Sequence, residues 1–498
     1  MQQLSGVDAG FLNLETSSTF GHVSSLSIYD RPADPDFDAY EVTRAQIDSR
    51  LASLEPFRRR LVEVPLGLDH PWWIHDPDFD LDFHVRHIAA PPPGDTTQLT
   101  ALVARIIGRP MDRGRPLWEG YVIEGLQNDQ FALLTKVHHA TIDGAAGAEL
   151  LAMMLDHSPD GDTADAEPDE WKPEREPSSL EMLGRTMLSI ATRPLDAFRL
   201  ASHTASSIRE VSRRRGIGGL GELVGTTMPG RLSALARREH NENDPDIAPV
   251  LPSMAAPPTP WNRSITPHRR FSIESISLTD VKDTKRLLGC TVNDVVMAMV
   301  AGGLRRWLIA HDALPDDPLV AMVPVSVRTG DESEKWTNRV SSLFVPIPTH
   351  EAEPLDRVAA MNRTMNEAKA TFDLLPADVL TDLAQFSPPA LATRAARLAA
   401  RLHIGDRVNA PINLVISNVP GPREPLYLGG AMLQHYYPVS TIVEGAGLNV
   451  TVQSYLDNLD FGLVACRELI PELDEMTGMI TAELDVLRNT AETVTTGS

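Results

Sequence analysis

Four residues with a fixed spacing, His138, His139, Asp143 and Gly144, are the residues of this chain best suited to catalytic chemistry. Together they read H-H-x-x-x-D-G. Imidazole is the side chain whose unperturbed pKa allows it to accept and return a proton near neutral pH. We therefore predict that one of the two histidines acts as a general base. Asp143 is expected to cap the following helix and hold the loop, and Gly144 to allow a tight turn.

The elements around this motif are expected to present it to a cleft. The apolar run Phe131–Val137 precedes it and is typical of a buried strand, whereas the small-residue run Ala145–Leu155 follows it and favours a helix. A side chain at such a strand-to-helix junction can face a cleft. We therefore expect His138 and His139 to lie at that junction.

Other kinds of catalytic centre receive little support from the sequence. It contains no G-x-S-x-G motif, and neither Cys290 nor Cys466 lies close to a histidine along the chain, so a covalent nucleophile is not indicated. Without C-x-x-C or H-E-x-x-H patterns, a metal site has little support. Two cysteines fit a reducing cytosol rather than a disulfide framework.

The composition is that of an ordinary globular protein. The chain has 498 residues, of which 42% are hydrophobic and 23% charged, and this length allows two or three domains. Its net charge of −23 argues against general nucleic-acid binding, which needs a basic face. No apolar stretch is long enough for a membrane span, and Met1–Asp8 lacks the regions of a secretory signal. We therefore expect a cytoplasmic protein without a transmembrane helix.

The pattern along the chain divides it into three parts. Residues 1–158 and 256–498 each alternate predicted strands and helices, and residues 159–255 join them through an acidic linker and a basic helical connection. The sequence therefore predicts two α/β halves with a site in the crevice between them. The predicted strands are His22–Tyr29, Asp82–His87, Phe131–Val137, Arg270–Leu278, Leu319–Val327, Val340–Ile347, Asn413–Ile416, Leu448–Tyr455 and Leu459–Val464. The predicted helices are Val42–Leu54, Leu99–Ile107, Asn293–Ile309, Pro354–Ala370 and Pro389–Leu402.

The connection between the halves is locally basic. Residues 156–177 are acidic and rich in proline, whereas residues 178–238 contain ten arginines and four acidic residues. Apolar side chains recur among those arginines at roughly helical spacing. Two interpretations stay open: a helix that packs between domains, or an interfacial helix that meets lipid and anionic headgroups. Gly216–Gly221 satisfies G-x-G-x-x-G but follows three arginines instead of a strand, so we reject a dinucleotide site.

Further motifs follow one another in order along nearly the whole chain. They are Leu4–Leu12, Leu14–Thr16, Phe57–Leu61, Pro71–Trp73, Asp76–Leu81, His84–Val85, Arg115–Glu119 with a PLW motif, Thr291–Val295 with an ND motif, Ser417–Pro422 and Gly445–Asn449. Together with H-H-x-x-x-D-G, this set resembles the bacterial wax ester synthase/diacylglycerol acyltransferase family of the chloramphenicol-acetyltransferase-like superfamily. One departure is Phe20-Gly21-His22, where a methionine is expected before the histidine.

The resemblance implies a fold and a reaction. The fold is α/β, with two chloramphenicol-acetyltransferase-like halves, each a mixed sheet flanked by helices, and the active site in the tunnel between them. The reaction moves a long-chain acyl group from acyl-CoA, a co-substrate, to the hydroxyl of diacylglycerol, with long-chain alcohols as a further acceptor. His139 is then the general base, His138 orients or shapes the site, and Asp143 supports the loop. No cofactor is bound permanently, and a membrane surface or lipid droplet is an expected partner on the cytoplasmic side.

The predicted substrate-binding residues are Gly144, Trp118, Asn293, Asp294 and Asn418. Some of them also have a structural interpretation, since Trp118 can fill the core and Asn293 can cap a helix. Two other functions stay open: a condensation-type enzyme that acts on carrier-bound substrates, and a non-catalytic lipid-binding droplet protein. Diacylglycerol is preferred over a long-chain alcohol on the resemblance alone.

Overall fold

The strands of the described residues form three sheets. The structure, a computed structural model, describes residues 1–141, 153–161, 171–188, 256–326, 340–372, 404–406 and 410–496. The strands are β1 (Gln2–Gln3), β2 (His22–Asp30), β3 (Arg59–Val62), β4 (Trp72–His75), β5 (Val85–Ala89), β6 (Trp118–Glu124), β7 (Gln130–His138), β8 (Arg269–Ser277), β9 (Leu319–Ser326), β10 (Val340–Ile347), β11 (Leu414–Val419), β12 (Tyr427–Leu428), β13 (Ala431–Val439), β14 (Leu448–Tyr455) and β15 (Asn458–Cys466).

Helices pack around these sheets in both halves of the chain. The first half contains α1 (Gly6–Asn13), α2 (Ala39–Arg50), α3 (Leu81–His84) and α4 (Thr96–Ile107). The second contains α5 (Leu278–Leu288), α6 (Val292–Ala310), α7 (Pro354–Phe372), α8 (Leu473–Thr481) and α9 (Glu483–Thr496). Residues 179–188 are also mostly helical. Most strands and helices predicted from the sequence are confirmed, with shifted ends.

The two large sheets are both mixed. The first has the order β12-β13-β2-β7-β6-β5 and the second β10-β9-β11-β14-β15-β8, while β1, β4 and β3 form the small sheet. Strand β5 runs parallel to β6, and β11 runs parallel to both β9 and β14. The other neighbouring pairs are antiparallel. Mixed sheets with helices on their faces give the α/β class that the sequence predicts.

One strand from late in the chain belongs to the first sheet. Strand β13 pairs with β2, so that Leu433 lies opposite Tyr29 and Val439 opposite Ser24. Strand β2 is therefore paired on both sides, and its backbone groups are not left at a sheet edge. The sequence patterns did not predict β13. The first large sheet therefore combines strands from both predicted halves, whereas every strand of the second lies between Arg269 and Cys466.

The second sheet is covered by α6, most of whose side chains are buried. Helices α6 and α8 approach each other closely, because a Cβ atom on Gly303 would lie only 2.5 Å from Ile480 Cα. Only glycine allows this backbone contact. Beside it, Arg357 and Arg306 both pair with the buried carboxylate of Glu483. The core of the second half is thus built around one central helix.

Among the described helices, none is by itself long and apolar enough to cross a membrane. Helices α5 and α6 pass that test only as a pair, and they are bent by 96°.

One predicted strand is partly helical. The sequence predicts a strand over Asp82–His87, but β5 begins only at Val85. The reason is local, because the Asp80 carboxylate accepts a hydrogen bond from Asp82 N–H (3.1 Å) and caps the short helix α3. An aspartate cap therefore overrides the alternating pattern.

One predicted helix is displaced toward the N-terminus. The sequence predicts Val42–Leu54, whereas α2 begins directly after Asp38 and ends at Arg50. The Asp38 carboxylate accepts two backbone N–H groups of the first turn, which fixes the start of the helix. The predicted helix Pro389–Leu402 and most of the predicted run Ala145–Leu155 lie outside the described residues.

Candidate active site

The two motif histidines lie where β7 leaves the first sheet. His138 is the last residue of β7, and the chain turns directly after it. His138 N–H donates to Leu117 O (2.9 Å), and Thr141 N–H donates to His138 O (2.8 Å). His139 N–H donates to Gly21 O (2.8 Å), just before β2. Backbone groups next to both neighbouring strands therefore fix this turn, residues 138–141, which we call the histidine turn.

The His138 ring points into the protein, and its side chain is only 1% exposed. Its Nδ1 accepts a hydrogen bond from Ala140 N–H (3.0 Å), so Nδ1 must carry a lone pair. The proton of the neutral ring is therefore on Nε2, which lies 3.3 Å from Glu15 Oε1. Both ring nitrogens of His138 face groups of the protein itself.

Glu15 is a largely buried carboxylate with three partners. Its Oε1 also accepts Gly21 N–H (2.8 Å), and its Oε2 accepts from Arg113 Nη2 (2.7 Å) and Nε (3.2 Å). Burial by itself raises the pKa of Glu15, but the contacts with His138, Gly21 and Arg113 outweigh it and lower that pKa to about 2. Glu15 is therefore ionised at neutral pH.

Gly21 leaves the space that the His138 ring occupies. A Cβ atom on Gly21 would lie 2.5 Å from His138 Nε2 and 3.1 Å from Phe11 O. A separation of 2.5 Å is well inside van der Waals contact, so a larger residue must displace the ring or the strand. Glycine at this position is thus a packing requirement of the histidine turn.

His139 is half-buried. It stacks on Phe11, with 4.2 Å between the ring centroids and 8° between the ring planes. Phe11 belongs to α1, whose start is fixed by Ser5 Oγ accepting from Asp8 N–H (3.1 Å). Of the two motif histidines, His139 is the less buried residue.

Asp143 and Gly144, the remaining residues of the motif, lie outside the described residues. Their predicted roles stay predictions.

Trp118 is part of the core. Its ring stacks on Phe57 and on His84, at 4.6 Å between centroids in each case, and its Nε1–H donates to Phe57 O (2.8 Å). It lies opposite Val137 in the sheet, so its side chain is on the Val137 face and points away from that of the next residue, His138. The structure therefore gives Trp118 a packing role, and substrate binding by it stays a prediction.

The ND motif begins helix α6 and contacts a second predicted site residue. Thr291 is the N-cap, and it exchanges hydrogen bonds with Asp294 in a capping box. The cap is thus formed by Thr291 and Asp294, and the Asn293 side chain is left for another contact. Asn418 Nδ2 donates to Asn293 Oδ1 (3.3 Å). The structure therefore brings Asn293 and Asn418 together beside the second large sheet, and His138 and His139 together at the first.

Residues from the second half hold the loop that leads to Gly21. Thr441 Oγ1 donates to Phe20 O (2.8 Å), and Arg269 donates to Ser18 O with its guanidinium carbon 5.2 Å from the centre of the Phe20 ring. Arg269 is buried, and burial lowers its pKa to about 10. The histidine turn therefore lies beside a junction of the two halves.

Sequence reasoning missed the residues that support the histidines. Glu15 and Phe11 lie in segments that carry the family resemblance, but the sequence gives no sign that they contact the motif. Arg113 lies two residues before Arg115–Glu119, the segment with the PLW motif, and no sequence pattern indicated a role for it. These contacts link parts of the chain that are far apart, so no local pattern could reveal them.

Comparison with known proteins agrees with this architecture. A family model described as the wax ester synthase/diacylglycerol acyltransferase catalytic domain matches residues 4–296, and that of the corresponding C-terminal domain matches residues 336–488. A Mycobacterium tuberculosis protein assigned by name as a diacylglycerol O-acyltransferase is 34% identical over 478 residues, which cover 96% of this chain and 95% of the relative.

Solved structures show the same fold. The wax ester synthase/diacylglycerol acyltransferase from Marinobacter aquaeolei VT8 matches with a TM-score of 0.66 and 29% identity, covering 99% of this chain and 100% of the other. The starter condensation domain of a rhizomide synthetase matches with a TM-score of 0.55 and 11% identity over 99% of this chain and 94% of the other. The second likeness is one of fold alone. The family models and the mycobacterial relative show more: the chain belongs to the wax ester synthase/diacylglycerol acyltransferase family and is an acyltransferase.

Proposed function

We propose that this chain transfers a long-chain acyl group from acyl-CoA to the hydroxyl of diacylglycerol, with His139 as the general base. The names of the mycobacterial relatives support diacylglycerol as the acceptor. The family description also includes wax ester synthesis, so a long-chain alcohol is the second acceptor to test.

The difference between the two histidines is the observation that supports this assignment. His138 is buried, and both of its ring nitrogens face protein groups, so it cannot reach a substrate hydroxyl without leaving its place. His139 is half-buried and held from one face by Phe11. A general base must come within hydrogen-bond reach of the proton that it removes. His139 meets this requirement better than His138.

The proposed reaction needs one base and no covalent enzyme intermediate. The His139 imidazole takes the proton of the acceptor hydroxyl while the hydroxyl oxygen attacks the thioester carbonyl carbon. The tetrahedral intermediate then loses the carbon–sulfur bond, and the coenzyme A thiolate takes the proton back from the His139 imidazolium. The products are the acyl ester and free coenzyme A. Acyl-CoA acts as a co-substrate, and no permanently bound cofactor is needed.

The other predicted residues have supporting parts in this proposal. Asn293 and Asn418, which contact each other at 3.3 Å, provide amide groups that either donate to the thioester or brace the histidine turn from the second half. Asp143 and Gly144 hold the loop after His139. We further propose that the site lies in a tunnel between the halves.

The test is release of free coenzyme A from palmitoyl-CoA, with diacylglycerol, hexadecanol or no acceptor. The proposal expects acceptor-dependent release by the wild type and its loss in His139→Ala. His87→Ala serves as the matched control, because His87 is a partly exposed histidine whose partner is Glu124 on the far end of the first sheet. Wild-type release by a folded His139→Ala protein would contradict the assignment of the base. If folded wild type showed no acceptor-dependent release, carrier-bound substrates or a non-catalytic lipid role would become the better interpretation.

We also propose that the chain contacts a membrane surface or lipid droplet on the cytoplasmic side. Leu180, Met187 and Leu188 are exposed in the helical segment 179–188, at the start of the arginine-rich connection 178–238. Apolar side chains beside basic ones suit an interface with anionic lipid. Co-sedimentation with vesicles of anionic and of neutral lipid tests this, and equal absence from both would contradict it.

A further inference from the structure

A buried carboxylate that the proposed reaction does not use lies directly behind the histidine motif. Glu15 is only 13% exposed, and its Oε1 lies 3.3 Å from Nε2 of the buried His138 ring. A buried charge is costly unless it is paired and hydrogen-bonded. Hydrogen bonds from Arg113 and Gly21 N–H and the nearby His138 ring offset the desolvation of the Glu15 carboxylate and hold it in this position.

We infer that Glu15 is a positioning residue, whose carboxylate holds His138 in the tautomer that accepts Ala140 N–H and thereby fixes the turn that presents His139. This role depends on the proposed function, since it concerns the presentation of the proposed base. Glu15 itself touches neither substrate in this scheme.

The groups around the His138 ring select its tautomer. A neutral imidazole has one donor and one acceptor nitrogen, and the choice is set by what each nitrogen faces. A carboxylate 3.3 Å from Nε2 favours the proton on that nitrogen, because the carboxylate can only accept. Nδ1 is then left as an acceptor, which is what Ala140 N–H requires at 3.0 Å.

The tautomer of His138 in turn affects the backbone of the turn. Ala140 directly follows His139, and its N–H is anchored by the His138 ring rather than by a strand. If the proton moved to Nδ1, two donors would face each other and the bond would be lost. The turn would then depend on the remaining backbone bonds of His138, His139 and Thr141. The position of the His139 ring against Phe11 would no longer be fixed.

The charged carboxylate of Glu15 is also paired with Arg113. Arg113 donates to Glu15 Oε2 through two nitrogens, and its Nη2 also donates to Leu12 O (2.7 Å) at the end of α1. His138, Gly21 N–H and Arg113 together keep Glu15 ionised, and Arg113 also ties it to the helix that carries Phe11. Phe11, which contacts His139, and Glu15, which contacts His138, therefore lie in the same N-terminal segment.

The experiment compares Glu15→Leu, which removes both acceptor oxygens, with Glu15→Gln, which keeps an oxygen that can accept from Gly21 N–H and His138 Nε2–H. Turnover is measured as release of coenzyme A with the better acceptor. We expect Glu15→Leu to lower kcat by about 10- to 100-fold with KM for acyl-CoA unchanged, because misplacing a catalytic group by about 1 Å costs up to about 100-fold. Glu15→Gln should retain most of kcat. Glu63→Gln is the matched control, since it removes the exposed carboxylate near Arg113 (3.4 Å) and leaves His138 untouched.

Two further readouts separate positioning from a general loss of stability. The ring ¹⁵N shifts of His138 should show an unprotonated Nδ1 in the wild type and in Glu15→Gln, and a mixture of tautomers in Glu15→Leu. In a His138→Ala background, Glu15→Leu should lower kcat no further, because its effect passes through His138. Independent, multiplying effects in that background would overturn the inference, as would a folded Glu15→Leu protein with wild-type kcat.

The His139→Ala variant keeps the two ideas apart. Loss of turnover in His139→Ala together with wild-type turnover in Glu15→Leu removes only the role of Glu15. Turnover that survives in His139→Ala removes the proposed base, and the role of Glu15 with it.

Discussion

Replacing Gly21 by alanine tests the packing of the histidine turn most directly. The added Cβ atom would lie 2.5 Å from His138 Nε2, about 1 Å closer than carbon and nitrogen normally approach. The ring cannot simply retreat, because its Nδ1 is held by Ala140 N–H at 3.0 Å. We therefore expect a shift of about 1 Å in the ring or in the start of β2. A shift of that size in a catalytic turn costs about 100-fold in kcat, and overpacking costs about 1–3 kcal/mol in the free energy of unfolding.

The assay pairs kcat, from release of coenzyme A, with the free energy of unfolding from urea denaturation. Gly478→Ala is the control, because Gly478 lies in α8 and a Cβ there meets nothing within 4 Å. That variant should keep wild-type kcat and gain about 0.5–1 kcal/mol, the usual benefit of alanine over glycine inside a helix. If Gly21→Ala folds with wild-type kcat, the His138 ring is not held between Gly21 and Ala140, and the reasoning is refuted.

Two further predictions concern Glu15 and Trp118. The folded-state pKa of Glu15 is about 2, below its ordinary value of 4.5, so its ionisation stabilises the fold above pH 4.5 and this contribution is lost as the pH falls toward 2. At neutral pH the free energy of unfolding of the wild type should exceed that of Glu15→Gln by about 3 kcal/mol. Urea denaturation should show this difference narrowing below pH 4.5, and a difference independent of pH would contradict the lowered pKa of Glu15. Trp118→Ala should cost about 3–5 kcal/mol in the free energy of unfolding, and Trp118→Phe about 1 kcal/mol for the lost bond to Phe57 O. A Trp118→Phe protein of unchanged stability but altered KM for acyl-CoA would instead favour the predicted role in substrate binding.

Patterns that act over a few residues were predicted well from the sequence. The end of β7 at His138 follows from the apolar run that leads into the motif. The apolar spacing of Leu99–Ile107 predicts α4 with its correct end, although α4 begins earlier, at Thr96, where Asp95 and Gln98 form a capping box. Where a local signal was overlooked, as with the Asp80 cap of α3, the predicted element was wrong in its bounds. The motif itself, and the family that it resembles together with the further motifs along the chain, could be identified before any coordinates.

The sequence by itself determined most of the strands around the motif, the motif and the chemistry that imidazole can perform, because each depends on residues that are neighbours along the chain. Only the tertiary structure decided which histidine faces inward, since the partner of His138 is Glu15, in a segment far from it in sequence. It also decided that β13 completes the first sheet beside β2. Such pairings depend on which surfaces meet when the chain closes long loops, and neither hydrophobic period nor residue spacing carries that information. The sequence therefore identifies the histidine motif, and the fold sets the surroundings of each histidine.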